Sequence, residues 1–399
     1  MKLWDKGHGR NEEIERYTVG DDPRLDLALV PYDCTASMVH ARVLQRAGVL
    51  TREEAERLVA ALGDLKAAAA RGDFRIRPEE EDGHTALENR LVERLGDLGK
   101  KIHAARSRND QVATALRLWM KDRLDAVSGL VERFVAALGR RIDEHGDVSM
   151  PGYSHMRKAM PSSVALWLGA FVESMQDNQR GIGAARALVD QNPLGTGAGY
   201  GIPVLEIDRE FSARELGFAR VQQNPLYVQN SRGKFEAVVV GALVNVMADL
   251  NKLAADLILF TMDEFRFFTL PREICTGSSI MPQKLNPDPL EVLRARYHEV
   301  LAHEFRIRST TADLVSGYHR DFQCTKKPLI ESFDVVERSL EVMEYVVERL
   351  GVNREACERA CTDEIYATER VHELVRQGVP FRDAYRQVAS ELFPEDPRD

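Results

Sequence analysis

Apolar residues recur at helical spacing along most of the chain. Met38, Val39, Val43, Leu44 and Ala47 predict a helix over 33–48 that stops at Gly48. Thr51 with Glu54 forms a capping box, which opens a helix running to Gly72 with Leu58, Val59, Leu62 and Leu65 on one face. The acidic, proline-containing stretch 73–82 reads as a loop, and a third helix is expected over about 84–97. Residues 1–30 are polar and broken by Gly20 and Pro23, so they read as an extended arm with a short turn. From Asp110 the scale changes. Helical patterns run over about 110–144, 161–190, 232–264, 289–313 and 326–350, far beyond the average helix of ~11–12 residues. Residues 352–399 predict two or three short helices, and strand alternation is nearly absent. The expectation is an all-α chain in three regions: a helical part over 1–106, a bundle of long helices over 107–350, and a small helical part over 351–399.

The 232–264 pattern is apolar on most sides, through Phe235, Val238, Val239, Val240, Leu243, Val244, Val246, Met247, Leu250, Leu253 and Leu257. A helix apolar all round must be covered all round. One chain of 399 residues does not easily supply that cover, so packing against copies from other subunits is expected. The longest uncharged apolar run, around Ala237–Ala248, is shorter than the roughly 20 residues that span a bilayer, so no membrane partner is expected.

Composition narrows the partners. The net charge is −9 and the isoelectric point about 5.7, without a block of lysine and arginine, which argues against nucleic acid. Cys34, Cys275, Cys324, Cys357 and Cys361 form no CxxC pair and read as reduced thiols. The opening Met1–Lys6 is charged and has no signal-peptide core, which together point to the cytoplasm. His40, His103, His145, His298, His303 and His372 have no metal-ligand spacing, and Gly199-Tyr200-Gly201 does not continue into a dinucleotide fingerprint. Neither a metal nor a cofactor is implied.

The candidate chemistry sits in polar strings between the apolar ones. Thr276-Gly277-Ser278-Ser279-Ile280-Met281-Pro282-Gln283-Lys284-Leu285-Asn286-Pro287-Asp288 is too rich in glycine, proline and polar groups to be core. It can offer a hydroxyl, a cation and N–H donors to one small anion. Arg106-Ser107-Arg108-Asn109-Asp110-Gln111 lies at the mouth of the first long helix, where guanidinium forks and free N–H groups suit carboxylates. Ser154 and His155, in Met150–Met156, are expected on a loop just before a long helix. His84 follows Glu81-Asp82, and Tyr318, Gln323 and Lys326 fall in a further polar stretch.

The loop over 276–288 resembles the signature loop of the fumarase/aspartase superfamily, whose members release fumarate from a succinyl-bearing substrate. The RSRNDQ string resembles that of the argininosuccinate lyases. So do the Tyr153-Ser154-His155 segment (usually GYTH), the Glu81–His84 segment and the Tyr318–Lys326 segment, and the resemblance spans about 1–390. It implies an all-α homotetramer with active sites shared between subunits, which cleaves argininosuccinate to arginine and fumarate. By the same resemblance Ser278 is the base, activated by Lys284, and His155 is the acid, oriented by Glu291. His84, Arg106, Ser107, Arg108, Asn109, Ser154, Arg232, Ser279 and Asn286, with Tyr318, Gln323 and Lys326 at the argininyl portion, bind substrate. Among departures, Asp22 stands where many members have a serine, Ala104-Ala105 replaces threonine-glycine, and Ser231 and Gly233 replace aspartates around Arg232. Asp22 and Ala104-Ala105 leave one alternative, a fumarate-releasing lyase for another N-succinyl amine, and the resemblance itself brings a second, a catalytically silent crystallin-like homologue.

Overall fold

The computed structural model describes residues 11–77 and 79–392. The opening hexapeptide and the end of the expected C-terminal helices lie outside the described residues. The helices are α1 (Glu12–Val19), α2 (Asp22–Leu25), α3 (Val30–Arg46), α4 (Arg52–Ala70), α5 (Gly83–Leu95), α6 (Asp97–Lys100), α7 (Arg108–His145) and α8 (Val164–Val189). They continue with α9 (Arg209–Glu215), α10 (Pro225–Asn230), α11 (Lys234–Phe260), α12 (Asp288–Thr311) and α13 (Lys326–Glu348). Short helices α14 (Arg354–Ala360), α15 (Ala367–Arg376) and α16 (Phe381–Leu392) follow. The all-α expectation holds, and each long periodic pattern becomes one helix.

Local chemistry sets the ends. The capping box is present: the Thr51 hydroxyl accepts the Glu54 N–H at 3.2 Å, and the Glu54 carboxylate accepts the Thr51 N–H at 2.9 Å. At α11 the chain turns through Gly233, whose φ is +77°, and the Glu236 carboxylate accepts the Gly233 N–H at 2.7 Å. A Cβ at Gly233 would lie 2.4 Å from the Thr311 methyl group, so the turn requires glycine.

Two expectations are corrected. The arm is helical from Glu12 through a 3-10 turn at Asp26–Ala28, because the Asn11 side chain caps α1 and Pro23 sits in the first turn of α2, where its missing N–H costs nothing. The expected loop at Met150–Met156 is instead half of an antiparallel hairpin, β1 (Ser149–Ser154) with β2 (Arg157–Ser163), which also delays α8 to Val164. Its sequence lacks clean alternation, so the strand signal was masked.

By contact density the chain forms two compact units. The first takes the chain up to Gly129 with Gln179–Asn245 and His298–Val336; the second takes Leu130–Asn178, Val246–Tyr297 and the chain from Glu337 onward. In the first unit, Val30, Cys34, Leu44, Leu58, Leu62, Leu87, Leu91 and Ile102 form the core of α3, α4 and α5. In the second, Trp167 stacks on Phe268 at 4.7 Å and meets Phe260 edge-on at 5.7 Å, and Tyr153 of the hairpin packs 6.2 Å from Phe260.

Within Pro225–Phe260 an 18-residue stretch with a mean hydropathy of 1.5 is long and apolar enough to cross a membrane. It exceeds the run weighed from sequence because the helix continues past Glu236 and Asp249, which end that run. That stretch is 56% buried, and carboxylates of the helix are engaged: Asn178 donates to Asp249 at 2.7 Å and the Trp167 indole N–H to Asp256 at 3.0 Å. Those contacts suit a helix packed inside protein.

Candidate active site

In the first unit a small cavity of about 40 Å³ is walled by residues from five segments: Asp22 and Asp26, Asp82 and His84, Arg108 and Asn109, Arg232, and the run from Tyr318 to Lys326. Helix geometry explains the groupings. Asp22 and Asp26 are four apart, so the turn of α2 and its 3-10 extension sets both carboxylates on one face. Asp82 caps α5, accepting the Thr85 N–H at 2.9 Å, and this fixes His84 in the first turn with its Nε2 3.1 Å from the Asp82 carboxylate. Lys326 begins α13 and extends its ammonium to Asp26 at 2.6 Å and Asp22 at 2.7 Å.

Burial sharpens the electrostatics. Desolvation pushes the Asp22 carboxyl up to about 6, with the Asp26 charge adding to it and Lys326 opposing. Burial acts against the Lys326 ammonium, yet the two aspartates hold its pKa above the usual value. Asp82 also resists burial: His84, Arg108 at 3.1 Å and the Thr85 N–H hold it well below the usual carboxylate range. Arg232 is only 7% exposed. Its guanidinium faces the rings of Tyr318 at 5.4 Å and Phe322 at 5.5 Å, and it donates to no carboxylate or carbonyl among the described residues. Arg232 and Phe322 also border a larger cavity of about 410 Å³, with Asn230, Lys234, Arg308 and Ser316.

Not every sequence candidate reaches this cavity. Arg106 is buried beneath it and donates to the Ser37 hydroxyl at 2.7 Å, with Asp33 and Asp110 as its nearest countercharges. Ser107 serves as a cap, its hydroxyl accepting the Asn109 N–H at 3.3 Å. Gln323 lines the cavity, but its amide nitrogen donates to the Thr18 and Val19 carbonyls at 3.0 Å each. Asp110 anchors the whole helix mouth. Its carboxylate accepts N–H groups of Ser107, Gly195 and Gly197 at 2.9, 3.0 and 2.9 Å, and burial pushes its pKa up to about 6.

The second unit holds the remaining candidates. Ser154 pairs with Arg157 across the hairpin, leaving His155 and Met156 as a two-residue turn with φ of +51° and +59°. Two positive φ values in a two-residue hairpin loop match a type I′ turn, which projects His155 into solvent at the tip. Lys158 steadies the hairpin by donating to the Ala360 carbonyl at 2.7 Å. The loop over 276–288 is closed at its base, where Thr276 pairs with Asn286 and Gly277 with Leu285, and the Thr276 hydroxyl donates to Asp288. Inside it the Ser278 hydroxyl accepts the Ile280 N–H at 3.4 Å and the Met281 N–H at 3.1 Å. The Ser278 oxygen thus already faces two N–H dipoles. Ser279 and Lys284 are exposed, Asn286 is half-buried, and Glu291 is exposed in the first turn of α12.

Sequence reading passed over Asp26 and Arg320 as pocket residues. Arg320 pairs with Glu81 at 2.7 Å. The four-residue spacing of Asp22 and Asp26 is the available signal, and it carries meaning only once the arm is helical.

The chain matches a family model described as Lyase over residues 15–301. It is 50% identical over 394 residues to the argininosuccinate lyase of Thermotoga neapolitana, covering 99% of both chains. Identity to the argininosuccinate lyase of Sorangium cellulosum is 45% over 392 residues, covering 98% of this chain and 91% of that one. Among solved structures, an EDDS lyase in complex with formate superposes with a TM-score of 0.82 at 24% identity, over 97% of this chain and 76% of that chain. A class II fumarase from Schistosoma mansoni superposes with a TM-score of 0.80 at 16% identity, over 95% and 92%. The two superpositions show a shared helical fold.

Proposed function

The chain belongs to the argininosuccinate lyase family, and on that footing we propose that it is a carbon–nitrogen lyase that splits argininosuccinate reversibly into arginine and fumarate, as a step of arginine biosynthesis. Identity of 50% across 99% of both chains carries this reading. The reaction removes a proton from the carbon beside a succinyl carboxylate. The resulting carbanion spreads into that carboxylate, and the bond to the guanidino nitrogen breaks.

Ser278 is the base. A free hydroxyl is far too weak, and the N–H groups of Ile280 and Met281 supply part of the stabilisation its alkoxide needs, with Lys284 supplying charge. His155, carried at the tip of the β1–β2 hairpin, protonates the departing nitrogen, with Glu291 as its carboxylate. Arg108, Asn109 and His84 bind the fumarate-side carboxylates, and Ser107 and Arg106 hold that helix mouth in place. Ser154, Ser279 and Asn286 complete the anion contacts. Tyr318, Gln323, Lys326 and Arg232 hold the argininyl portion. The protein works in the cytoplasm as a homotetramer whose subunits share active sites. Exposed Leu166, Val292, Leu301 and Phe305 on long helices support such assembly.

A fumarate-release assay with argininosuccinate, adenylosuccinate, malate and aspartate side by side tests the reading. Release from argininosuccinate alone is expected. Release from another N-succinyl amine with none from argininosuccinate would overturn it.

A further inference from the structure

The larger cavity of the first unit has no part in the chemistry above, and Arg232 is the residue it shares with the smaller one. Its volume of about 410 Å³ is that of a small-molecule site. Its charge is one-sided: Arg232, Lys234 and Arg308 line it and, among the described residues, no carboxylate does. Arg308 pairs with Glu304, four residues back on α12, at 2.7 Å. Lys234 donates to a neutral group, the Tyr227 hydroxyl, at 3.2 Å. Glu236, in the first turn of α11, is committed elsewhere, accepting the Gly233 N–H and offsetting the buried charge of Arg117. Arg232 is 7% exposed, and its Nε is buried with no hydrogen-bond partner among the described residues. A buried guanidinium left so costs free energy that a bound anion recovers.

The rest of the lining says what kind of anion. Asn230 donates to the Ser316 hydroxyl at 3.2 Å and accepts the Gly317 N–H at 2.9 Å, which fixes one wall. Ser316 accepts in that bond, so its own proton remains for a ligand. Ala237, Leu314, Val315 and Phe322 supply an apolar side. A phosphomonoester fits both halves. It concentrates nearly two negative charges and three acceptor oxygens on one group, and it carries a carbon portion. A single carboxylate brings half that charge. We propose that this cavity is a second ligand site, which binds a phosphomonoester through Arg232, Lys234 and Arg308. Arg232 also borders the smaller cavity, so a phosphate that engages it weakens substrate binding there. That coupling rests on the lyase reading above, whereas the binding does not.

Phenyl phosphate is the probe, with inorganic phosphate and phenol as its two halves. Calorimetry on the assembled protein, in dilute chloride buffer above pH ~7 where the phosphate is dianionic, should find phenyl phosphate bound once per chain. It should bind about 3- to 10-fold more tightly than inorganic phosphate, and phenol should not bind measurably. Lys234 and Arg308 are exposed, so both can be replaced without loss of folding. Lys234→Gln and Arg308→Gln should each weaken phenyl phosphate about 3- to 10-fold, and the double variant about 10- to 100-fold. Neither residue lines the smaller cavity, so fumarate release by the double variant without phosphate should stay within about twofold of the unaltered protein. Phenyl phosphate should raise KM for argininosuccinate severalfold with kcat unchanged, and the double variant should lose that effect. No binding by the unaltered protein overturns the inference. Binding or inhibition undiminished in the double variant also overturns it, because the phosphate then sits outside this cavity. Binding with an unchanged KM overturns the coupling through Arg232. Phosphate binding as expected in a protein that releases no fumarate sinks the lyase reading and leaves the second site standing.

Discussion

Lys326 donates to Asp26 at 2.6 Å, joining residues 300 positions apart inside the first compact unit. Both side chains are about 95% buried, so neither charge is stable without the other. Replacing Lys326 with methionine leaves two buried carboxylates and should lower stability by about 3–5 kcal/mol at neutral pH, read from urea unfolding. The double variant Asp26→Asn/Lys326→Met should lose less than the sum of its single variants, because the second change removes a charge that the first had orphaned. Strict additivity would contradict the coupling.

The same cluster sets a pH dependence. The folded-state pKa of Asp22, about 6, lies above its unfolded value near 3.8. The folded state therefore holds that proton more tightly. Its stabilising contribution is full below about pH 4 and is lost as pH rises through about 6. Asp110, also pushed up to about 6, acts in the same direction. Asp82, held low, acts oppositely but only below about pH 4, outside this window. His40, whose folded-state pKa burial lowers to about 3, opposes this decline inside the same window, so the test is the difference between proteins: Asp22→Asn should remove about 3 kcal/mol of fall in unfolding free energy between pH 4 and 7 relative to the unaltered protein. An unchanged slope would remove Asp22 as its source.

The hairpin tip stores strain at a residue with no proposed chemical role. Met156 holds φ at +59° in a turn that favours glycine or asparagine. Met156→Gly should raise stability by about 0.5–1 kcal/mol in thermal unfolding and leave fumarate release within about twofold. A lower melting temperature would mean that the exposed Met156 side chain makes contacts in the assembled protein.

The two loop serines are separable. Ser278 accepts two backbone N–H groups, whereas Ser279 is exposed. Ser278→Ala should reduce fumarate release by about 100- to 10,000-fold with little change in unfolding, since its hydrogen bonds are local. Ser279→Ala should cost far less. The reverse order of losses would transfer the role of base to Ser279.

Much of this was legible in the chain. Long apolar periods gave the long helices, Thr51 and Glu54 gave a cap, and Gly277, Pro282 and Pro287 gave an irregular loop. These signals are local: a 3.6-residue period or a cap needs only neighbours within one turn. The hairpin at Ser149–Ser163 was not legible, because its φ values at His155 and Met156 fall on residues that do not announce a left-handed turn. The sequence by itself determined the helical class, the family and the polar strings from which a site could be built. Only the tertiary structure decided that Arg106 turns inward to Ser37, that Lys326 is shared by Asp22 and Asp26, and that Arg232 faces the rings of Tyr318 and Phe322. Which charge meets which depends on contacts between distant segments, and burial then decides what that pairing is worth, a quantity no local pattern encodes.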